Sequence, residues 1–398
     1  MGAIALAVAA CSRGGDAAAG PLVRDSAGIT IVENREARPG WTAPWILSEE
    51  PVLRIGSAES DPSQLLFQVT DARRLDDGRV LVVNSGSAEV KVFDPDGRLL
   101  RTLGRRGDGP GEFRAPWHAY PMVGDSILVV DLYREVAVFD PDGAYARQFT
   151  PALPDGLLVG EGAAPVDQFG DGSLLLKGHY PQDPSRQGVG RNRIPLLRSP
   201  LDGSTVTSLG DFDDQTVHYG LPSRDLAFGA WAHQAAADST LWYGPGDRFE
   251  LQEVALDGTV RTLVRLDRPA RPVTESDQDD YRREYVEAMA RWNPGRGDEL
   301  WQSRARDALF PDSFPAHFQI ETDAGGNVWV QDYRSLYSES RTARRWTVFD
   351  ATGVFLGDVV VPGGLTVHDI GDDHLVGVWT DEYGVEYLHV HRIVKPSG

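Results

Sequence analysis

Three residues able to bind metal or move protons stand at one fixed distance ahead of a turn. Asp71 lies six residues before Asp77, His118 six before Gly124, and His317 six before Asp323. His368 lies four before Asp372, and Asp167 four before Asp171. On a strand, six and four share parity, so these side chains are expected on one face. His233, five before Asp238, falls off parity unless a bulge intervenes. Imidazoles and carboxylates converging in this way are ligands for a divalent cation such as Zn²⁺ or Ca²⁺, which makes Asp71, His118, His317 and His368 the candidate metal set. The same residues would also serve as polar lining that hydrogen-bonds water, so no cofactor follows firmly.

A second pattern interleaves arginine with aromatic residues: Arg106, Arg114 and Trp117, then Tyr133 and Arg134, then Tyr180, then Tyr333 and Arg334. Planar guanidinium forks beside aromatic rings suit acidic groups, sugars and protein hot spots. Local Asp–Arg pairing that fixes loops is the competing explanation. Other motifs carry less. The two Asp-Pro-Asp-Gly segments at 94–97 and 140–143 lack the later ligands of a calcium loop and read as hairpin turns. Gly107-Asp108-Gly109-Pro110-Gly111 has no Lys-Ser/Thr after it and is not a phosphate loop. A serine nucleophile elbow is absent.

The elements that must position these residues come from internal repetition. Residues 77–104 and 124–151 share one plan: turn, apolar strand, short loop, alternating strand, Asp-x-Asp-Gly turn, further strand. Val90-Lys91-Val92-Phe93 and Val136-Ala137-Val138-Phe139 alternate with the period of a half-buried strand. The unit recurs with decay from Asp171, Leu241, Gly326 and His374. A period in the forties with four strands per unit predicts an all-β, six-bladed β-propeller. The sixth unit lacks an outermost strand, and Val52-Leu53-Arg54-Ile55-Gly56 resembles Leu100-Arg101-Thr102-Leu103-Gly104. The N-terminal strand is therefore expected to close the last blade and remove a free sheet edge. Residues 28–33 are expected as an extra strand at the rim.

Within a blade, strands a to d run outward from the channel. The a–b and c–d turns share a lower face, and the b–c and d–a connections an upper one. The lower turns are short, whereas the upper connections, 104–116, 178–193, 211–231, 267–316 and 332–344, are long, which places function on the upper face. A helical insertion over about 270–316, between blades 4 and 5, is expected to start at Ser276 as N-cap, with a second helix from Asp298 to Phe310. It reads as a packed strut, with Tyr281 and Trp292 as core contacts.

Val130-Asp131 followed by Val136-Ala137-Val138-Phe139-Asp140, together with the segment 104–113 (GRRGDGPGEF), resembles NHL repeats and their inter-blade linker. The resemblance implies a propeller and no particular function. Some NHL-type lyases carry a His-bound metal in the channel, so it also admits a metal-dependent lyase or hydrolase at the channel mouth.

The net charge of −20 argues against nucleic acid and anionic membrane surfaces, which need a basic footprint. The single cysteine, Cys11, follows the small apolar run Ala3 to Ala10. The run resembles a bacterial lipoprotein signal, whose cysteine becomes the lipidated N-terminus. The expected organisation is a signal over 1–11, a flexible tether over 12–27 and one propeller over 28–398. The chain is expected to be exported, anchored by lipid in the outer membrane facing the periplasm, and monomeric. The favoured function is non-catalytic binding of a protein or glycan on the upper face.

Overall fold

The computed structural model describes residues 20–35, 45–56, 62–131, 135–157, 165–181, 183, 185–202, 206–220, 224–338 and 341–395. Six separate sheets are arranged as the blades of a β-propeller. Blade 1 shows the plan: Val69–Arg74, Val80–Asn84, Glu89–Phe93 and Leu99–Leu103 pair antiparallel in that order. Blade 2 repeats it with Pro116–Pro121, Ile127–Asp131, Val136–Phe139 and Tyr145–Phe149.

The burial pattern follows from this architecture. A middle strand is covered on both faces by neighbouring blades, so alternation gives way to a continuous apolar run. Val80–Asn84 and Ile127–Asp131 are buried at every position, while the outer strand Tyr145–Phe149 is exposed along most of its length. The core therefore lies between blades. Leu81, Val83 and Val90 of blade 1 pack with Ile127, Val129 and Phe139 of blade 2. In the c–d turns an aspartate braces the chain reversal: Asp94 Oδ1 accepts from the Asp96 and Arg98 amides, and Asp140 Oδ1 from those of Asp142 and Ala144. The following Gly97 and Gly143 hold φ near +83° and +86°, which glycine alone adopts without cost. Hairpin chemistry thus occupies the carboxylates of both Asp-Pro-Asp-Gly segments.

The N-terminal residues close the ring as expected. Leu53–Ile55 pairs antiparallel with the last strand, Glu386–Val394, through Leu53↔Val390 and Ile55↔Leu388. Ile46–Leu47 extends the same edge. Ile29–Arg35 adds in parallel to the outer strand of blade 4, Val260–Asp267. Residues 22–26, expected within the tether, instead form the strand Leu22–Ser26, which pairs antiparallel with Ile29–Arg35 around Ala27 and Gly28.

Blade 3 departs from expectation. Its outer strands, Gly188–Ser199 and Thr207–Tyr219, form a long hairpin that takes in residues 188–193 and 211–219 of the segments read as loops. Register shifts between Arg191 and Arg193 and between Leu196 and Leu197 break the alternation, so the period-two signal is lost although the pairing persists.

The insertion between blades 4 and 5 holds two helices, α1 (Glu275–Trp292) and α2 (Asp298–Arg306). The N-cap of α1 is Thr274 and not Ser276. Thr274 accepts from the Asp277 amide while the Asp277 carboxylate accepts from the Thr274 amide, a reciprocal capping box. α2 stops at Arg306, short of Phe310. Among the described residues no helix is long and apolar enough to cross a membrane.

Candidate functional site

The inner strands bring one residue from each blade to the same level of the channel. Equivalent pairs at the strand ends are Arg74↔Val80, Pro121↔Ile127, Gln168↔Leu174, Ala236↔Leu241, Thr322↔Val328 and Ile370↔Leu375. One residue earlier stand Arg73, Tyr120, Asp167, Ala235, Glu321 and Asp369. All but Ala235 are polar and line a cavity of about 1250 Å³, whose mouth is formed by the a–b turns of the lower face. The larger cavity therefore opens on the face of short turns, opposite the side on which function was expected.

Arg73 is the hub of this level. Its Nε lies 3.3 Å from Asp71 Oδ2, and its guanidinium stands 4.5 Å from the centre of the Tyr120 ring. Asp71 also accepts from the Ala119 amide at 3.1 Å and lies 3.5 Å from His118 Nδ1. Burial would raise the Asp71 carboxyl, but Arg73, then His118 and His368, hold it well below the usual carboxylate range. The other acids have less compensation. Burial raises Asp167 against the pull of Arg73, and burial with the charge of Asp167 pushes Glu321 up to about 8. Asp369 is raised by burial despite Arg73 and the Arg74 amide, which donates to it at 3.0 Å. One guanidinium faces four carboxyls at this level, and Glu321, pushed up to about 8, keeps its proton at neutral pH. His368 is kept neutral by burial, which lowers it to about 4 against the pull of Asp71.

The proposed metal set does not assemble. Asp71, His118 and His368 gather around Arg73, but His317 stands between blades 4 and 5. Its ring is 5.4 Å from that of His233 and 6.3 Å from that of Phe249, and both its nitrogens lack a partner. Burial lowers His317 to about 4. The error is one of register. Asp77 and Gly124 are the third residues of turns that open at Leu75 and Met122, whereas Asp323 opens its own turn. The counterpart of Asp71 and His118 in blade 5 is therefore Gln319, and His317 precedes the strand. His368 sits in a bulge between Val367 and Asp369. Among the described residues no group of three or more His, Cys, Asp or Glu side chains is placed to hold a metal ion. With Asp71 already taken by Arg73 and a backbone amide, the residues present do not fit a channel metal.

On the upper face the arginines divide. Arg114 pairs with Asp108, and its amide donates to Asp131. Arg106 Nη2 donates to the Gly86 carbonyl at 2.9 Å. Both fix the loop 104–116. Trp117 is partly exposed beside His118, and the Tyr180 hydroxyl donates to Asp211. Tyr133, Arg134 and Cys11 lie outside the described residues. Tyr333 and Arg334 have different surroundings. Phe228 centres an aromatic cluster with Tyr281, Phe310, Phe314 and Tyr333 at 5.1, 5.5, 4.6 and 6.3 Å. This cluster welds α1 to the connections of blades 3 and 5, the strut that the sequence suggested. Tyr281 is core, as expected, but Trp292 is 55% exposed.

Two cavities flank the strut. One, of about 830 Å³, lies at the junction of blades 4 and 5 among Arg248, Arg268, Arg271, Phe314 and Tyr333. The other, of about 440 Å³, lies between α1 and the b–c connection of blade 5, with Tyr281, Tyr333, Arg334, Ser335 and Arg344 in its walls. Sequence reasoning missed Arg344, because Arg344 and Arg345 open a strand and carry no motif. It also missed Glu321 and Asp369, whose signal was a polar residue at one register position in five inner strands.

No protein-family model matches the chain, and no curated protein sequence matches it. Solved structures do. A member of the DUF4221 family from Bacteroides vulgatus superposes with a TM-score of 0.53 at 13% identity, over 88% of this chain and 99% of that one. A candidate exported protein of Bacteroides fragilis gives 0.49 at 11% identity, over 92% and 100%. Virginiamycin B lyase from Staphylococcus aureus gives 0.42 at 9% identity, over 88% and 99%. At such identities the likeness is one of fold.

Proposed function

We propose that this propeller is a non-catalytic binding protein of the cell envelope, exported and held by lipid on Cys11, whose upper face takes a protein or glycan ligand. The observation that carries the reading is the strut. An insertion of two helices is welded by aromatic packing to the connections of blades 3 and 5, and the two cavities beside it are walled by arginine and aromatic side chains. A structural brace alone would need the packing but not the cavities. Rigid support around a concave, mixed apolar and polar surface is what a recognition site requires.

The test is a binding screen of purified protein against arrayed glycans and envelope proteins, with two variants. Ser335→Trp fills the smaller upper cavity, and Asp369→Asn alters the channel. The expected result is a ligand lost with Ser335→Trp, retained with Asp369→Asn and chemically unchanged after prolonged incubation. A ligand that follows Asp369→Asn, or that is converted to product, would overturn the proposal. The anchor is checked separately by mass spectrometry for acyl chains on Cys11, and by release from membranes on Cys11→Ser.

A further inference from the structure

Most arginines of the upper face are matched with a carboxylate. Arg268 reaches Asp332 at 3.1 Å and Asp358 at 3.3 Å, Arg345 reaches Asp332 at 2.7 Å, and Arg271 reaches Asp277 at 3.4 Å. Arg334 and Arg344 are not matched in this way, and they differ from Arg106, whose guanidinium ends on backbone carbonyls. Neither has a carboxylate within ion-pair distance among the described residues, although acidic residues outnumber basic ones by 59 to 39 in the chain. Arg334 stacks its guanidinium 4.4 Å from the centre of the Phe318 ring, and its buried Nε has no hydrogen-bond partner. Burial and then the like charge of Arg344 push Arg334 down to about 10, and burial alone lowers Arg344. Both line the cavity of about 440 Å³ under α1, whose walls also hold Asp277, Asp280, Glu284 and Asp332; of these, Asp277 is already paired with Arg271, Asp280 with Arg283, and Asp332 with Arg268 and Arg345. Two half-buried guanidiniums with no carboxylate in contact are costly to the fold, and such a cost is characteristic of a site whose partner arrives from outside.

We infer that Arg334 and Arg344 receive the carboxylate of an acidic sugar, a uronate-bearing glycan, whose ring lies against Tyr333. This deepens the reading of the upper face as a binding surface and rests on it. The anion follows from the two unmatched forks, since a guanidinium presents parallel N–H donors to a planar carboxylate. The sugar follows from the cavity. Its volume is at the low end of small-ligand sites, about 300–1,000 Å³, and a docked protein would instead need a broad patch of about 800 Å². Tyr281 and Tyr333 offer aromatic surface and Ser335 a hydroxyl.

The experiment is titration calorimetry of the wild type, Arg334→Met, Arg344→Met and Arg334→Lys with three probes: an oligogalacturonate, the neutral oligogalactose of equal length, and polyglutamate. Oligogalacturonate is expected to bind the wild type and the neutral sugar not. Each methionine variant should weaken binding by about 10- to 100-fold, the span of a charge-assisted hydrogen bond, with lysine in between. Thermal melts separate a binding role from a structural one. Methionine keeps the apolar stem and removes the unmatched charge, so melting should hold or rise, whereas a structural arginine would lower it. Oligogalacturonate binding that is indifferent to both arginines, polyglutamate binding in its place, or no binding of oligogalacturonate would each overturn the inference. Binding of the neutral sugar or polyglutamate that is still lost with Ser335→Trp would leave the upper-face reading standing. Binding by none of the probes, with no hit in the wider screen, would remove both.

Discussion

Glu321→Gln should stabilise the protein at alkaline pH and scarcely change it in mild acid. The carboxyl is buried in the channel beside Asp167, accepts from Gln319 Nε2 at 2.6 Å, and is pushed up from 4.5 to about 8. The folded-state value is the higher one. Through this window the folded protein therefore keeps a proton that the unfolded chain has released, and stability falls as pH rises. The cost to folding is about 1 kcal/mol near pH 5 and about 4 kcal/mol near pH 8, at roughly 1.4 kcal/mol for each tenfold difference in proton affinity. Glutamine copies the protonated form in shape and can still accept from Gln319, but it has no proton to lose. Asp167 and Asp369 are raised as well, so the wild type should decline more steeply still. The difference between the two proteins isolates Glu321 and its coupling to Asp167. Urea unfolding followed by tryptophan fluorescence across this pH range is the assay. A widening gap of about 3 kcal/mol towards alkaline pH is expected, and a constant offset would mean that Glu321 is ionised in the folded channel, refuting the account of stored protons.

Other perturbations probe the elements that hold the site. Asn34 ties the rim strand to blade 5, donating to the Gly353 carbonyl at 2.9 Å and accepting from the Phe355 amide at 2.9 Å. Asn34→Ala should cost about 2–4 kcal/mol, because it takes the side-chain partner from one buried and one half-buried backbone group, and thermal unfolding will report it. Thr274→Ala removes the capping box of α1 and should cost about 1 kcal/mol, seen as faster amide hydrogen exchange in the first turn of that helix. Gly246 has φ +83°, and a Cβ there would meet the Trp231 carbonyl oxygen at 2.0 Å. Gly246→Ala should therefore destabilise by about 2 kcal/mol or more, measured as a lower urea midpoint.

The propeller was legible because its b and c strands must be apolar on both faces, and valine-rich runs at a regular interval are hard to produce otherwise. Closure by Leu53–Ile55 was legible for a related reason, since that strand repeats the outer-strand pattern of Leu99–Leu103. The channel was only half legible. Counting from aspartate assumed that Asp77 and Asp323 occupy the same place in their turns, and a shift of two residues kept parity while choosing His317 in place of Gln319. Counting from the strand pairs would have found Arg73, Glu321 and Asp369. The long hairpin of blade 3 stayed hidden because bulges disrupt its period. The unmatched Arg334 and Arg344 could not be read from sequence at all. Whether an arginine finds a carboxylate is decided by which side chains the folded loops bring together, and Arg345, the very next residue, finds one.

The strand that completes the ring has a bearing on how the protein is made. Leu53–Ile55 leaves the ribosome early, and its partner, Glu386–Val394, follows almost a whole chain length later. No sequential build-up of blades can finish the circle, so throughout synthesis the first blade keeps an uncovered flank and the waiting strand an unsatisfied edge. Contacts spanning nearly the entire sequence make for slow folding and for open edges that other chains could pair with. A polypeptide built this way cannot lock itself shut before its last blade exists, so the whole ring stays open until synthesis reaches that strand.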